Sequence, residues 1–151
     1  MAEALTTGSI TDRVELRVPA DPAYLAVLRT ATAGLAARLD LTLDEIEDLR
    51  IAVDEACALV LGVSGDPLDA TTGAPEPIAD PLRALDTLRA TFDLSPDGMT
   101  VEVSGPARSL PGRDSFAWAV LEALVGALET GTDDEGRQSI RMRHGGSRRP
   151  S

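Results

Sequence analysis

The stretch Leu41–Gly62, LTLDEIEDLRIAVDEACALVLG, constrains this chain more than any other, because it carries the start, period and stop of one long amphipathic helix. The Thr42 hydroxyl can accept from the Glu45 amide while Glu45 reaches back to the Thr42 amide. That is a capping box, and Leu41 with Ile46 supplies the hydrophobic staple. Ile46, Leu49, Val53, Ala56, Cys57 and Val60 recur at helical spacing and form a stripe aimed at a core. A different face carries Asp48, Ala52, Glu55 and Leu59, so the Glu55 carboxylate is expected to project from a side not packed like the stripe.

Ahead of this helix, residues Met1 to Thr11 are small and polar and read as a frayed lead-in. DRVELRV, Asp12 to Val18, alternates: Val14, Leu16 and Val18 point one way and Arg13, Glu15 and Arg17 the other, a half-buried strand closed by Pro19. Asp21-Pro22 then supplies a cap and a first-turn proline for a helix striped by Tyr24, Leu28, Ala31, Leu35 and Leu39, with Arg29 and Arg38 outside the stripe.

Beyond Gly62, Ser64 to Pro81 is rich in proline and small residues without a period, the signature of a loop inserted within one domain. Leu85–Leu94 and Met99–Ser104 alternate around Ser95-Pro96-Asp97-Gly98 and predict an antiparallel hairpin, with Leu88, Ala90, Phe92, Val101 and Val103 inward. After a loop from Gly105 to Arg113, Asp114 is expected to cap a third helix running to about Glu129 and stopped by Gly131. Phe116, Trp118, Val120, Leu121, Leu124, Val125 and Leu128 surround most of that helix, which predicts burial on more than one side, Trp118 and Phe116 included. Gln138 to Arg143 reads as a last strand and His144 onward as a basic tail. The order β-α-α-β-β-α-β predicts an α+β, two-layer sandwich: a mixed, mostly antiparallel sheet with three helices on one face, forming a single domain over residues 12–143.

Composition narrows the function. The 151 residues suffice for one domain burying about two-thirds of its unfolded surface. A formal net charge of −11 argues against a nucleic-acid binder, which needs a basic face, and suits a basic protein partner. No apolar run reaches the roughly 18 residues of a membrane span, and no signal-type h-region opens the chain, so a cytoplasmic protein is expected. The single cysteine, Cys57, lies in the apolar stripe and is expected to be a buried, inert thiol. No metal site is expected.

The words ELRVPADPAY, DEIEDLRIAVDEAC and SFAWAVLEAL, in these places, resemble the RsbW-type anti-sigma factors, regulatory serine kinases of the GHKL (Bergerat-fold, histidine-kinase-like) ATPase superfamily. The likeness runs from Arg13 to Arg143. Its most specific part, DLRIAVDEAC, corresponds to the family's N-box, where a glutamate acts as general base and an asparagine four residues later holds Mg²⁺. The glutamate position is Glu55; the asparagine position is Leu59, which offers no oxygen to a metal. The family's D-x-G-x-G box, whose aspartate reads adenine, falls on Ser104-Gly105 in SGPARSLPGRD. In the last box, whose glycines let phosphate approach a helix terminus, Ser115 and Ala117 stand in place of glycine, with Phe116 and Trp118 adding bulk.

The resemblance implies an anti-sigma factor that occludes an alternative (stress- or development-type) sigma factor, is antagonised by a STAS-type anti-anti-sigma factor and forms a homodimer. The three altered boxes imply weak or absent ATP binding, hence no cofactor; ATP and Mg²⁺ enter only under the alternative of an active kinase phosphorylating a serine of the antagonist. Arg29 lies near where such proteins touch their partners, although the family's contact arginine aligns nearer Ala26. Asp48 belongs to an acidic group that favours the helix dipole and is also a candidate partner contact.

Overall fold

The computed structural model describes residues 12–62 and 86–145. The frayed lead-in and the Ser64–Pro81 insert lie outside the described residues. Among the described residues five strands form one sheet: β1 (Asp12–Pro19), β2 (Thr87–Ser95), β3 (Gly98–Gly105), β4 (Ala127–Thr132) and β5 (Gln138–Gly145), in the spatial order β1-β2-β3-β5-β4. Every pairing is antiparallel, so the sheet is not mixed. A short 3₁₀ turn, Pro22–Tyr24, leads into α1 (Leu25–Ala36); α2 (Leu43–Leu61) and α3 (Phe116–Leu124) complete the helices. The fold is the expected α+β sandwich. Among the described residues no helix is long and apolar enough to cross a membrane.

Local chemistry explains the elements. The Thr42 hydroxyl accepts from the Glu45 amide at 3.1 Å, and the Glu45 carboxylate accepts from the Thr42 amide at 2.8 Å. This reciprocal box satisfies two of the amides a helix start leaves open. At the other end Gly62 turns left-handed at φ 82°, a conformation glycine reaches without a Cβ penalty. Asp21 accepts from the Ala23 amide at 2.9 Å, and Pro22 fills the first position of the turn. The hairpin closes on a Ser95–Gly98 pair around Pro96-Asp97.

The core lies between the sheet and α2. Leu88, Ala90, Phe92, Leu94, Met99, Val101, Val103, Ile140 and Met142 project from one face of the sheet and are buried with Leu49, Val53, Ala56, Cys57 and Val60 of α2. Ile46 and Leu41 are half-buried against them. Burial pushes the Cys57 thiol well above its ordinary value, which suits an inert core residue.

Several expectations need correction. The second face of α2 is packed after all: Ala52 is fully buried and Leu59 is 2% exposed. The helix is flanked by α1 and α3 as well as lying on the sheet, so more than one stripe is covered. On α1 the buried line is Leu28, Thr32 and Ala36; Thr32 tolerates burial because its hydroxyl donates to the Leu28 carbonyl at 2.7 Å.

The third helix ends at Leu124 instead of Glu129, and Gly131 sits inside a strand. Val125 is already extended and the Gly126 amide donates to the Arg143 carbonyl at 3.0 Å, after which β4 pairs along β5. Sheet pairing overrides the helical reading of VGALET. The residue at its N-cap is Ser115, not Asp114, and the helix buries one side only: Trp118 and Leu121 are inside, while Phe116 is 67% exposed. Finally, His144 belongs to β5 and not to the tail.

Candidate functional site

α2 lies along β3 and packs against α3, which brings the positions singled out in the sequence onto three neighbouring elements. Glu55 and Leu59 are one helical turn apart on α2, Ser104 and Gly105 end β3, and Ser115 opens α3. Glu55 is half-buried, whereas Leu59 sits in the apolar core. A metal-holding oxygen is therefore absent at that point, and the space belongs to hydrocarbon.

The end of β3 is stitched directly to the last turn of α2. The Ala107 amide donates to the Val60 carbonyl at 2.8 Å. Gly105 lies so close that a Cβ on it would fall 2.6 Å from the same carbonyl oxygen. Only glycine permits this approach. The glycine thus serves strand–helix contact, filling the seam between the two elements with backbone.

Ser104, which the resemblance set at the adenine-reading position, points the other way. It is 2% exposed on the opposite side of the sheet, where its hydroxyl bonds the Asp133 carboxylate. Ser115 caps α3 without a side-chain hydrogen bond to the helix, and its buried Oγ has no partner among the described residues. The bulk expected beside it is split, with Trp118 inside donating from Nε1 to the Pro111 carbonyl at 2.7 Å and Phe116 outside.

The candidate partner contacts occupy the outer helices. Arg29 on α1 bonds Asp54 on α2 at 2.7 Å, with the two side chains 38% and 37% exposed. This ties α1 to the residue next to Glu55. Asp48 is half-buried nearer the start of α2. The two candidates therefore lie on one helical pair but do not form a joint ion pair: the guanidinium is committed to Asp54.

A polar cluster that sequence reasoning missed lies at the turn between β4 and β5. Asp133, whose side chain is 2% exposed, accepts from the Glu135 and Arg137 amides at 2.8 Å each and from Arg137 Nε at 3.1 Å. Arg89 reaches Asp134 at 2.8 Å and Asp133 at 3.3 Å, and Arg137 also bonds Asp86 at 2.8 Å. Burial by itself would raise the Asp133 carboxyl; the backbone amides of Arg137 and Glu135, the Ser104 hydroxyl and the Arg137 guanidinium outweigh it and hold the group at about 2. The available signal was the run Asp133-Asp134-Glu135-Gly136-Arg137, a turn-forming sequence with an acceptor at its head.

Comparison with known proteins adds a partial likeness. The chain is 52% identical over 46 residues to the serine-protein kinase RsbW of Bacillus subtilis (strain 168), a match covering 30% of this chain and 29% of that protein. It is 48% identical over 46 residues to the serine-protein kinase RsbW of Bacillus velezensis, covering 30% and 29%, and 46% identical over 46 residues to that of Bacillus pumilus, covering 30% and 28%. The match spans less than a third of the length of these relatives. No family model matches the chain. Over that segment the chain is similar to the RsbW serine-protein kinases, and to that extent the resemblance read from its sequence is borne out.

Proposed function

We propose that this chain is a cytoplasmic anti-sigma factor that sequesters an alternative sigma factor by steric occlusion, is released by a STAS-type anti-anti-sigma factor, acts as a homodimer and does so without kinase chemistry. The likeness to RsbW kinases supports the family part of this reading. The observation that carries the rest is the seam between α2 and β3. Leu59 is buried where a metal-holding oxygen would be needed, and Gly105 is in contact with the Val60 carbonyl. Mg²⁺ requires oxygen ligands in near-octahedral array, and these residues do not fit it. In this reading Glu55 performs no phosphoryl-transfer step, because a general base acts only on a hydroxyl that nucleotide and metal bring to it.

Occlusion requires shape and charge alone. A net charge of −11 favours encounter with the basic surface of a sigma factor and acts mainly on the association rate. Arg29 and Asp48, both half-buried on α1 and α2, are the proposed contact residues.

The second reading is an active kinase using ATP and Mg²⁺ to phosphorylate a serine of the antagonist. It is favoured by Glu55, which stands at the general-base position, and by the name of the relatives. Co-purification from native extract, with and without ATP, separates the two. Equal recovery of a sigma subunit in both arms supports occlusion. Phosphoserine appearing on a co-purified antagonist in the ATP arm supports the kinase, and recovery without any sigma subunit overturns sequestration.

A further inference from the structure

The two edges of the sheet are built differently. β1 carries Arg13, Glu15 and Arg17 on its exposed side and ends on Pro19. Charges and proline are the usual guards against a strand adding to an open edge. β4, the other edge among the described residues, reads Ala127-Leu128-Glu129-Thr130-Gly131-Thr132, with one charge and no proline, and most of it is exposed.

Its backbone is oriented to accept another strand. The Asp133 amide donates to the Arg137 carbonyl at 2.9 Å, so this pair is a hydrogen-bonded one in the β4–β5 ladder. Hydrogen-bonded pairs alternate along an antiparallel ladder. Gly131, Glu129 and Ala127 therefore also turn their N–H and C=O groups toward β5, while Leu128, Thr130 and Thr132 turn theirs outward.

Beside this edge lies a groove of about 430 Å³, bounded by Leu110, Pro111, Arg113, Trp118, Thr130 and Thr132. Leu128 is paired with Met142, an inward residue, so the groove and the side chains of Thr130 and Thr132 lie on the helix-bearing side of the sheet. A strand added to β4 would drop alternate side chains into it. Its rim carries Arg113, 52% exposed, 4.8 Å over the Trp118 ring and 3.5 Å from the Glu122 carboxylate, with Arg108 exposed nearby. The Glu122 pair is itself exposed, so an incoming carboxylate can exchange with it. The Gln138 amide fixes that loop by donating to the Arg108 carbonyl at 3.1 Å.

We propose that β4 is a docking edge for an extended segment of a partner protein, in which acidic residues alternate with apolar ones. The segment adds as a sixth strand beside β4. Its backbone pairs with Leu128, Thr130 and Thr132, its apolar side chains enter the groove, and a carboxylate meets Arg113. Main-chain pairing supplies affinity and the groove supplies selectivity. This surface is separate from Arg29 and Asp48, and the proposal stands whether or not the chain is an anti-sigma factor.

The test is selection of a phage-displayed library of random dodecapeptides against the full chain, followed by amide chemical-shift mapping with the enriched peptide. The expected result is enrichment of alternating acidic and apolar residues, with shifts at the Leu128, Thr130 and Thr132 amides and at the Trp118 indole. Thr130→Pro removes one outward N–H and leaves the β5 ladder intact, so it should weaken binding about tenfold at unchanged melting temperature. Arg113→Glu should abolish the preference for acid, and it carries the test should Thr130→Pro unfold. No enrichment, shifts confined to α1 and α2, or an unchanged sequence preference in Arg113→Glu would overturn the proposal. A dimer in light scattering that Thr130→Pro dissociates would also overturn it, assigning the edge to a second copy.

Discussion

The seam between α2 and β3 and the cluster around Asp133 lie on opposite sides of the same strand, and they use opposite means. At the seam, where the resemblance placed nucleotide chemistry, the contact is hydrocarbon and bare backbone: Leu59 is buried and Gly105 touches the Val60 carbonyl. At the cluster, where nothing was expected, Arg89, Asp86, Asp133 and Arg137 form a partly buried ionic network around the buried Asp133 carboxylate. Buried charge is costly unless each group is bonded, and the bonds around Asp133 meet that condition. One region is held by charge and hydrogen bonds, the other by close packing of hydrocarbon against backbone. The difference teaches that two sides of one strand can be fixed by opposite means, bare backbone approach on one and a bonded ionic network on the other.

The largest effect expected is at the seam. Gly105→Ala drives a methyl into the Val60 carbonyl, and backbone on both sides cannot yield cheaply. A loss of about 3 kcal/mol in urea unfolding is expected; a neutral result would show that the seam is loose enough to admit a ligand. Next comes the cluster. The Asp133 carboxyl is held at about 2, below its ordinary 3.8, so its ionised form stabilises the fold. That stabilisation, about 2 kcal/mol, is fully present above pH ~4 and is lost as pH falls through ~2. Asp133→Asn should remove it at neutral pH and flatten the acid limb of the stability profile measured by thermal melts between those limits.

A smaller effect is expected at the start of α2, away from both regions. Thr42→Ala breaks half of the capping box and should cost about 1 kcal/mol by chemical denaturation. Smallest is the ion pair of Arg29 with Asp54, more than a third exposed on both sides. A double-mutant cycle should return a coupling below about 0.5 kcal/mol, lower still in high salt. A much larger coupling would mean that α1 is clamped to α2 by this pair, and would weaken the case for Arg29 as a surface free to engage a partner.

How much of this was legible in the sequence follows from whether local chemistry or distant pairing decided each element. Thr42 and Glu45, Asp21 and Pro22, and the Ser95–Gly98 turn carry their structures within four residues, and all were readable. The alternation of Val14, Leu16 and Val18, and of Leu88, Ala90 and Phe92, gave the buried side of β1 and β2. By contrast, Val125 to Thr132 has enough apolar residues to continue a helix. What makes it a strand is β5, met after an intervening turn, and no window of local sequence contains that partner. The packed face at Ala52 and Leu59 was missed for the same reason, since neighbours on α1 and α3 cover it. Within the candidate site, Glu55, Leu59, Ser104, Gly105 and Ser115 could be located by resemblance. That Ser104 faces Asp133 could not, because the turn holding Asp133 arrives from the far end of the chain.

The central claim is that the seam beside α2 has no place for a nucleotide. Its most direct test is the melting temperature of the full chain as ATP with Mg²⁺ is raised into the millimolar range. The account predicts a flat line, and the same flat line for Leu59→Asn, since restoring one oxygen does not reopen the contact at Gly105. A saturable rise in wild type, approaching the roughly 2.7 kcal/mol that a ligand at a hundredfold excess over its Kd confers, would contradict it.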